Sequence, residues 1–253
     1  MDDDPLSKSY ISLIKGWVQE CREHHSECKT DNGSFKPTRL ICVHSEEDNV
    51  RLISGKDIRE DYIALSYCWG KPVPGAHDHR TLTENITSRF DSFSLHRLPM
   101  TIRESIYVTR KLGYKYVWVD SICIVQDDAD DWRNEAALMA DVYSAADLTI
   151  AAVAADTATE SFLTRPKKIS FTLPYNILRN GKKSGNGIIC FDYPYETSLE
   201  VLITTTRWDN RAWYVEATRE FRASTNLMLG HFRNGYSRPE YCFSRQKRYI
   251  FSV

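Results

Sequence analysis

The stretch YIALSYCWG, residues 62–70, decides the fold class of this chain. It is a short apolar run that glycine and then proline interrupt, which is typical of a buried strand running into a loop. Two further apolar runs, YVWV at residues 116–119 and LTIAAV at residues 148–153, predict two more buried strands.

The segment between the first two strands predicts a helix from about residue 98 to residue 112. Thr101 as the N-cap and Glu104 three residues later match a capping box, and Gly113 is placed to end the helix in the left-handed conformation. Its buried stripe is Ile102, Ile106, Thr109 and Leu112.

A second helix is predicted from near Trp132 to about residue 145, capped by Asp130 or Asp131. Glu135 falls at the edge of its apolar face, which comprises Trp132, Ala136, Met139, Tyr143 and Ala146. Glu135 is therefore either a boundary residue that reaches solvent or a functional acid, since burial without a partner raises a carboxyl pKa.

The order strand, helix, strand, helix, strand predicts a parallel sheet with helices on its faces. Ligands of such sheets bind beyond the carboxyl ends of the strands. The candidate binding residues at that edge are Ser66, Tyr67, Trp69, Gly70, Asp120, Gln126 and Trp132, with Glu135 as the candidate acid. The structural alternative assigns Trp69 to core packing and Asp120 to capping the loop amides.

Composition excludes several classes of protein. With 33 Lys and Arg against 34 Asp and Glu the net charge is −1, so no positive field attracts nucleic acid. No apolar run approaches the roughly 20 residues of a membrane span. The acidic start, residues 1–5, is unlike a secretory signal, so we expect a cytoplasmic protein whose seven cysteines are free thiols.

Two segments offer weak metal-binding patterns. A short amphipathic helix is predicted from the helical spacing of Tyr10, Ile14, Trp17 and Val18. It leads into Cys21, His25 and Cys28, whose spacing fits either a zinc site or a helix end with a buried thiol. The acidic loop at residues 127–131 fits either a cation site, and hence a metal-dependent hydrolase, or a solvated loop that caps a helix. We expect no metal at either segment and no bound cofactor.

The motifs around the predicted strands resemble the fungal heterokaryon incompatibility (HET) domain. Residues 62–70 resemble its first motif, residues 98–102 and 112–127 with 131–152 resemble its second, and residues 211–213 resemble the start of its third. That third motif departs from the family pattern at Glu216 and Ala217, where the family usually has a Gln-Glu pair.

The resemblance implies an α/β fold with a parallel sheet flanked by helices, similar to TIR domains and flavodoxin-like folds. An N-terminal helical extension and a β-rich C-terminal part would complete it. The predicted divisions are an N-terminal helix and connecting segment at residues 1–59, the HET domain at 60–217 and a divergent tail at 218–253.

The family implies a role in non-self recognition that triggers programmed cell death. Trp132 and Glu135 look like the Trp and catalytic Glu of TIR domains that cleave NAD⁺, and Ser66-Tyr67 looks like the end of the first TIR strand. NAD⁺ or a related nucleotide is then the substrate, and self-association or a separate recognition protein is the activator. The alternative implication is a signalling module without catalysis, which acts by assembly.

Overall fold

The computed structural model describes residues 4–24, 35–44, 48–71 and 79–164, together with the strands at 169–179, 182–193 and 249–251, for which only the backbone is considered. The third-motif positions Glu216 and Ala217, as well as His25 and Cys28, lie outside the described residues. The predicted divisions after residues 59 and 217 stay predictions.

The described part of the chain folds around one mixed sheet. In chain order its helices are α1 (Lys8–His24), α2 (Ile86–Asp91), α3 (Met100–Leu112), α4 (Asp120–Cys123), α5 (Ala129–Ala137) and α6 (Met139–Ala145). Its strands are β1 (Arg39–Cys42), β2 (Asn49–Ser54), β3 (Ile63–Ser66), β4 (Phe93–Ser94), β5 (Tyr116–Trp118), β6 (Leu148–Ala151), β7 (Ile169–Arg179), β8 (Lys182–Tyr193) and β9 (Tyr249–Phe251).

The strand order in the sheet is β4-β2-β1-β5-β3-β6-β9. β3 pairs in parallel with both β5 and β6, as predicted for the three apolar runs. β1 and β2 lie in the predicted connecting segment before residue 60, and they extend the sheet with antiparallel pairs. The sheet is therefore mixed rather than purely parallel, and β7 and β8 form a separate antiparallel hairpin.

The core lies where the parallel strands meet the flanking helices. All of Ile63, Ala64 and Leu65 are fully buried, and since successive strand side chains point to opposite faces, both faces of β3 are covered. α3 contacts β3 and β5, and α1 packs on α3. Over β5, the rings of Trp118 and Tyr143 meet edge to face with centroids 5.5 Å apart.

The predicted capping box of α3 is wrong. Thr101 lies inside the helix and is fully buried, and its hydroxyl donates to the carbonyl of Glu160 at 2.7 Å. Glu104 instead accepts hydrogen bonds from the backbone N–H groups of Phe162 and Leu163. Both polar side chains serve the segment after β6, which the local pattern does not include. Gly113 does end the helix with φ at 90°.

The predicted single helix from Trp132 to residue 145 is two helices. α5 ends at Ala137, Leu138 breaks the helix, and α6 starts at Met139. The N-cap is Asp128, whose side chain accepts from the N–H groups of Asp130 and Asp131, so the predicted caps are also wrong.

Among the cysteines whose side chains the structure describes, Cys21 differs from the expectation of free thiols. Cys42, Cys68 and Cys123 are free, whereas Cys21 is disulfide-bonded. Cys21 is therefore neither a free thiol nor a zinc ligand in this structure. No helix of the described residues is long and apolar enough to span a membrane.

Candidate functional site at the carboxyl edge of the sheet

The carboxyl ends of the parallel strands bring most of the predicted site residues to one edge. Residues 66–70 follow β3, and Asp120 follows β5. β1 runs antiparallel to β5, with Ile41 opposite Val117, so that Arg39 at the start of β1 reaches the same edge. We refer to this region as the carboxyl edge.

Asp120 and Trp69 form the first part of the site. Asp120 is 3% exposed, and both of its carboxylate oxygens accept from the indole Nε1 of Trp69, at 3.1 and 3.0 Å. One oxygen also accepts from the backbone N–H of Ser121 at 2.7 Å. Gln126 donates from Nε2 to the carbonyl of Asp120 at 3.0 Å, which fixes the following loop. Asp120 thus fixes the loop amides and also orients an aromatic ring.

The end of β3 is fastened to its neighbours. The hydroxyl of the fully buried Tyr67 donates to Ser121 Oγ at 2.7 Å, and the carbonyl of Ser66 accepts from the N–H of Ala152 at 2.9 Å. Gly70 has φ of +88°, and a Cβ there would lie 2.9 Å from the side chain of Thr157. Only glycine fits this position without strain, which explains the turn that places Trp69.

Glu135 lies in a second cluster at the same edge. It is 3% exposed, with Oε1 3.7 Å from Nη2 of Arg39, and it is hydrogen-bonded by the Thr38 side chain. Its Oε2 has no hydrogen-bond partner among the described residues. Burial raises the pKa of the Glu135 carboxyl; Thr38 and Arg39 oppose this effect, and the neighbouring Asp131 carboxylate adds to it.

Arg39 is the central cation of this cluster, and it is not among the site residues predicted from the sequence. Its Nε donates to the carbonyl of Cys123 at 2.6 Å, and its Nη2 donates to both oxygens of Asp131 at 2.7 and 2.5 Å. Asp131 also accepts from the N–H of Val125 at 2.8 Å. The apolar run that follows Arg39, residues 40–43, was the available signal for a strand at this place.

The short helix α4 connects the two clusters. Asp120 begins it, and Cys123 at its end is bonded through its carbonyl to Arg39. Burial raises the pKa of the Cys123 thiol to about 12, with contributions from both the Glu135 and Asp120 carboxylates. The thiol is therefore protonated at neutral pH and is not a nucleophile.

The predicted apolar face of the second helix is wrong at Trp132, which is 54% exposed on α5. Of the two alternatives for Glu135, a boundary residue that reaches solvent is excluded, because the side chain is 3% exposed. The predicted face extends through residue 146 and so spans the break at Leu138, which separates α5 from α6. Trp132 consequently takes part in neither hydrogen-bonded cluster.

The carboxylates of the acidic loop at residues 127–131 form hydrogen bonds that hold the fold. Asp127 accepts from the N–H and hydroxyl of Thr83, Asp128 caps α5, and Asp131 binds Arg39. Within the described ranges, no group of three or more His, Cys, Asp or Glu side chains is arranged to hold a metal ion.

A cavity of about 410 Å³ lies at the opposite, amino edge of the parallel strands, between α1 and the start of β5. It is lined by Arg22, Asp61, Tyr114 and Lys115 among others. None of the predicted site residues lines it.

Comparison with known sequences identifies the family. A family model described as heterokaryon incompatibility protein (HET) matches residues 62–216, more than half of the chain. The chain therefore belongs to the heterokaryon incompatibility family of fungal proteins, which confirms the predicted resemblance.

One curated relative supports this assignment. Heterokaryon incompatibility protein 6, OR allele, of Neurospora crassa is 33% identical to the chain over 91 residues. The match covers 34% of this chain and 13% of that relative, so the chain spans only a small part of the relative's length. No solved structure matches the chain.

Proposed function

We propose that this protein is a cell-death effector of fungal non-self recognition that cleaves the nicotinamide–ribose bond of NAD⁺ at the carboxyl edge. Membership of the HET family and the name of the Neurospora relative support the recognition role. The observation that carries the catalytic role is Glu135, a carboxyl that is 3% exposed and retains one oxygen without a partner among the described residues.

The chemistry needs a carboxylate beside the ribose. Breaking the glycosidic C–N bond leaves positive charge on the ribose, and a nearby carboxylate stabilises that oxocarbenium-like transition state. Nicotinamide leaves as a neutral molecule with the bonding electrons, and water adds to the ribose carbon. The balance is NAD⁺ and water giving ADP-ribose, nicotinamide and one proton.

The neighbouring side chains supply binding groups for such a substrate. Trp69, which is half-buried, offers a ring, and Gln126 offers a polar group for sugar hydroxyls, while the buried Asp120 and Tyr67 hold the Trp69 ring and the end of β3 in place. Ser66 and Gly70 shape the backbone of the β3 loop, and the exposed ring of Trp132 is available to stack on a base. The order β5-β3-β6, with the first parallel strand in the centre, supports a TIR-like or flavodoxin-like arrangement of the substrate-binding edge.

The proposed effector acts in the cytoplasm and becomes active by self-association or by contact with a separate recognition protein. An assembly step accounts for the exposure of Trp132 at 54% on the helix that also carries Glu135. The proposal involves no nucleic acid and no resident cofactor.

The test is to measure NAD⁺ loss and nicotinamide release by chromatography, using concentrated full-length protein, Glu135→Gln and a matched control. Glu84→Gln is that control, because Glu84 is exposed, lies before α2 and is a member of neither cluster. We expect Glu84→Gln to behave as wild type and Glu135→Gln to lose about 100-fold or more of the turnover. Equal turnover by the two variants would remove Glu135 from the chemistry.

A second candidate function is a signalling module that triggers death by assembly without catalysis. The exposed Trp132 favours it, because a large apolar side chain at the surface is a ready contact for another protein. Absence of turnover in wild type under crowding, together with assembly that Trp132→Ala abolishes in light scattering, would support this function and exclude the enzyme.

A further inference from the structure

We propose that Arg39, on β1 and outside the span matched by the family model, is a positioning residue that presents Glu135 to the substrate. The inference rests on the proposed function, because it concerns the placement of the proposed catalytic group. It implies that the catalytic unit begins at β1, well before residue 62.

The contacts of Arg39 fix its guanidinium in one place. The side chain is 10% exposed, and it joins the end of α4 through Cys123 to the first turn of α5 through Asp131. The planar guanidinium makes these contacts simultaneously from two nitrogens, which a lysine ammonium does not reproduce. Arg39 is therefore anchored independently of Glu135.

This anchored cation and its neighbour Thr38 hold Glu135 from one side. Nη2 of Arg39 lies 3.7 Å from Oε1, and the Thr38 side chain is hydrogen-bonded to the same carboxyl group. Oε2 is left without a partner among the described residues. Because Arg39 and Thr38 hold one oxygen, the other oxygen, which is also buried, is the one left to pair with a ribose hydroxyl.

Asp131 competes with Glu135 for the charge of Arg39. Nη2 approaches the Asp131 oxygens to 2.5 Å and Glu135 only to 3.7 Å, so Asp131 takes most of the neutralisation. The groups that face Glu135 are Arg39 from β1, Thr38 just before β1, Asp131 from the helix of Glu135 itself and Cys123 from α4. Removing Arg39 and removing the charge of Asp131 must therefore shift the titration of Glu135 in opposite directions.

The experiment is the pH profile of NAD⁺ cleavage for Arg39→Met, Arg39→Lys and Asp131→Asn. Without the cation, the acid limb of Arg39→Met moves up by about one pH unit, and the limb of Asp131→Asn moves down. Arg39→Lys keeps the charge, so its acid limb lies close to that of wild type. Its turnover is still reduced, because an ammonium group does not make the two simultaneous contacts of the planar guanidinium. Arg51→Met, at an exposed position on β2, leaves the profile unchanged. If Arg39→Met and Asp131→Asn both lose turnover while the acid limbs of their pH profiles stay where the wild-type limb lies, the role of Arg39 is overturned.

A second readout separates this inference from the proposed function. The ¹³C carboxyl signal of Glu135, assigned with Glu135→Gln, is titrated in the same variants and requires no turnover. Opposite shifts of the carboxyl titration without any NAD⁺ cleavage would support the Arg39 contact and refute the enzyme. An unchanged titration in Arg39→Met and Asp131→Asn would refute the role of Arg39 whatever the turnover. If Arg39→Met does not fold, Arg39→Gln replaces it: an upward shift of the Glu135 titration supports the role of Arg39, and no shift overturns it.

Discussion

The two edges of the parallel strands each bury a carboxylate beside an arginine from the N-terminal part of the chain, but they satisfy it differently. At the amino edge, Asp147 is paired with Arg22 at 2.6 Å and accepts from the hydroxyl of Tyr114. At the carboxyl edge, Glu135 lies 3.7 Å from Arg39 and keeps one oxygen without a partner among the described residues. A complete set of partners around a buried carboxylate is typical of a structural role, whereas an incompletely paired one is a candidate for chemistry.

The comparison also shows that a cavity alone does not locate a site. The cavity of about 410 Å³ lies at the amino edge, against the pairs that Arg22 forms with Asp61 and Asp147. These pairs connect α1 to the starts of β3 and β6, which is a structural role. The proposed chemistry lies at the carboxyl edge, where the carboxylate of Glu135 is farther from its arginine than Asp147 is from Arg22.

The largest expected effect concerns the amino edge. Arg22→Met leaves the buried carboxylate of Asp147 without its cation, and we expect the free energy of unfolding to fall by about 2–3 kcal/mol, somewhat less than for a fully buried pair because Arg22 is 40% exposed. Chemical denaturation measures the change. Loss of NAD⁺ cleavage without loss of stability would contradict the assignment of this edge to structure. Lys8→Met, at an exposed position at the start of α1, is the control.

A smaller effect is expected at the carboxyl edge, where two tryptophans can be compared. Trp69→Phe keeps a ring but removes the donor to Asp120, a hydrogen bond to a charged group, and we expect a loss of about 1.5 kcal/mol in unfolding free energy. Trp132→Phe, at a ring that is 54% exposed, is the matched control and changes stability by less than about 0.5 kcal/mol. Equal losses in urea unfolding would mean that the Trp69–Asp120 contact contributes nothing specific.

Local sequence patterns predicted the elements whose pattern is complete within one segment. The apolar runs at residues 62–66, 116–119 and 148–153 became β3, β5 and β6, because a strand buried on both faces must be continuously apolar. The buried stripe of α3 and its end at Gly113 were also predicted, because both depend only on residues within the helix and next to it. The carboxyl-edge candidates at the ends of β3 and β5 followed from the parallel order alone.

Features that depend on distant partners were not predictable in this way. Thr101 and Glu104 matched a capping box, yet their hydrogen bonds go to the segment near residue 160, which offers buried partners the local pattern cannot see. Glu135 turned inward because Arg39, almost a hundred residues earlier, provides a cation there. The competing tertiary contacts, rather than intrinsic propensity, decided both positions.

The smallest expected effect is the pH dependence of the stability of Glu135→Gln relative to wild type. It best distinguishes a catalytic from a structural role of Glu135. Burial raises the pKa of the Glu135 carboxyl in the folded protein above its unfolded value, so the folded state favours the protonated form. The contribution of this group to stability is thus complete below the unfolded pKa and is lost as the pH rises through the folded pKa. Glutamine has no charge to bury. The Tm of Glu135→Gln minus the Tm of wild type should therefore increase as the pH is raised from 4 to 8.

Thermal melts of both proteins across this range measure the difference, with Glu84→Gln as the exposed control that follows wild type throughout. If the Arg39–Glu135 pair were a structural salt bridge like that of Arg22 and Asp147, the ionised carboxylate would be the stabilising form. The Tm of Glu135→Gln minus the Tm of wild type would then decrease as the pH rises. The sign of this one difference therefore separates a carboxylate kept at a cost to stability, as a catalytic group would be, from one that holds the fold together.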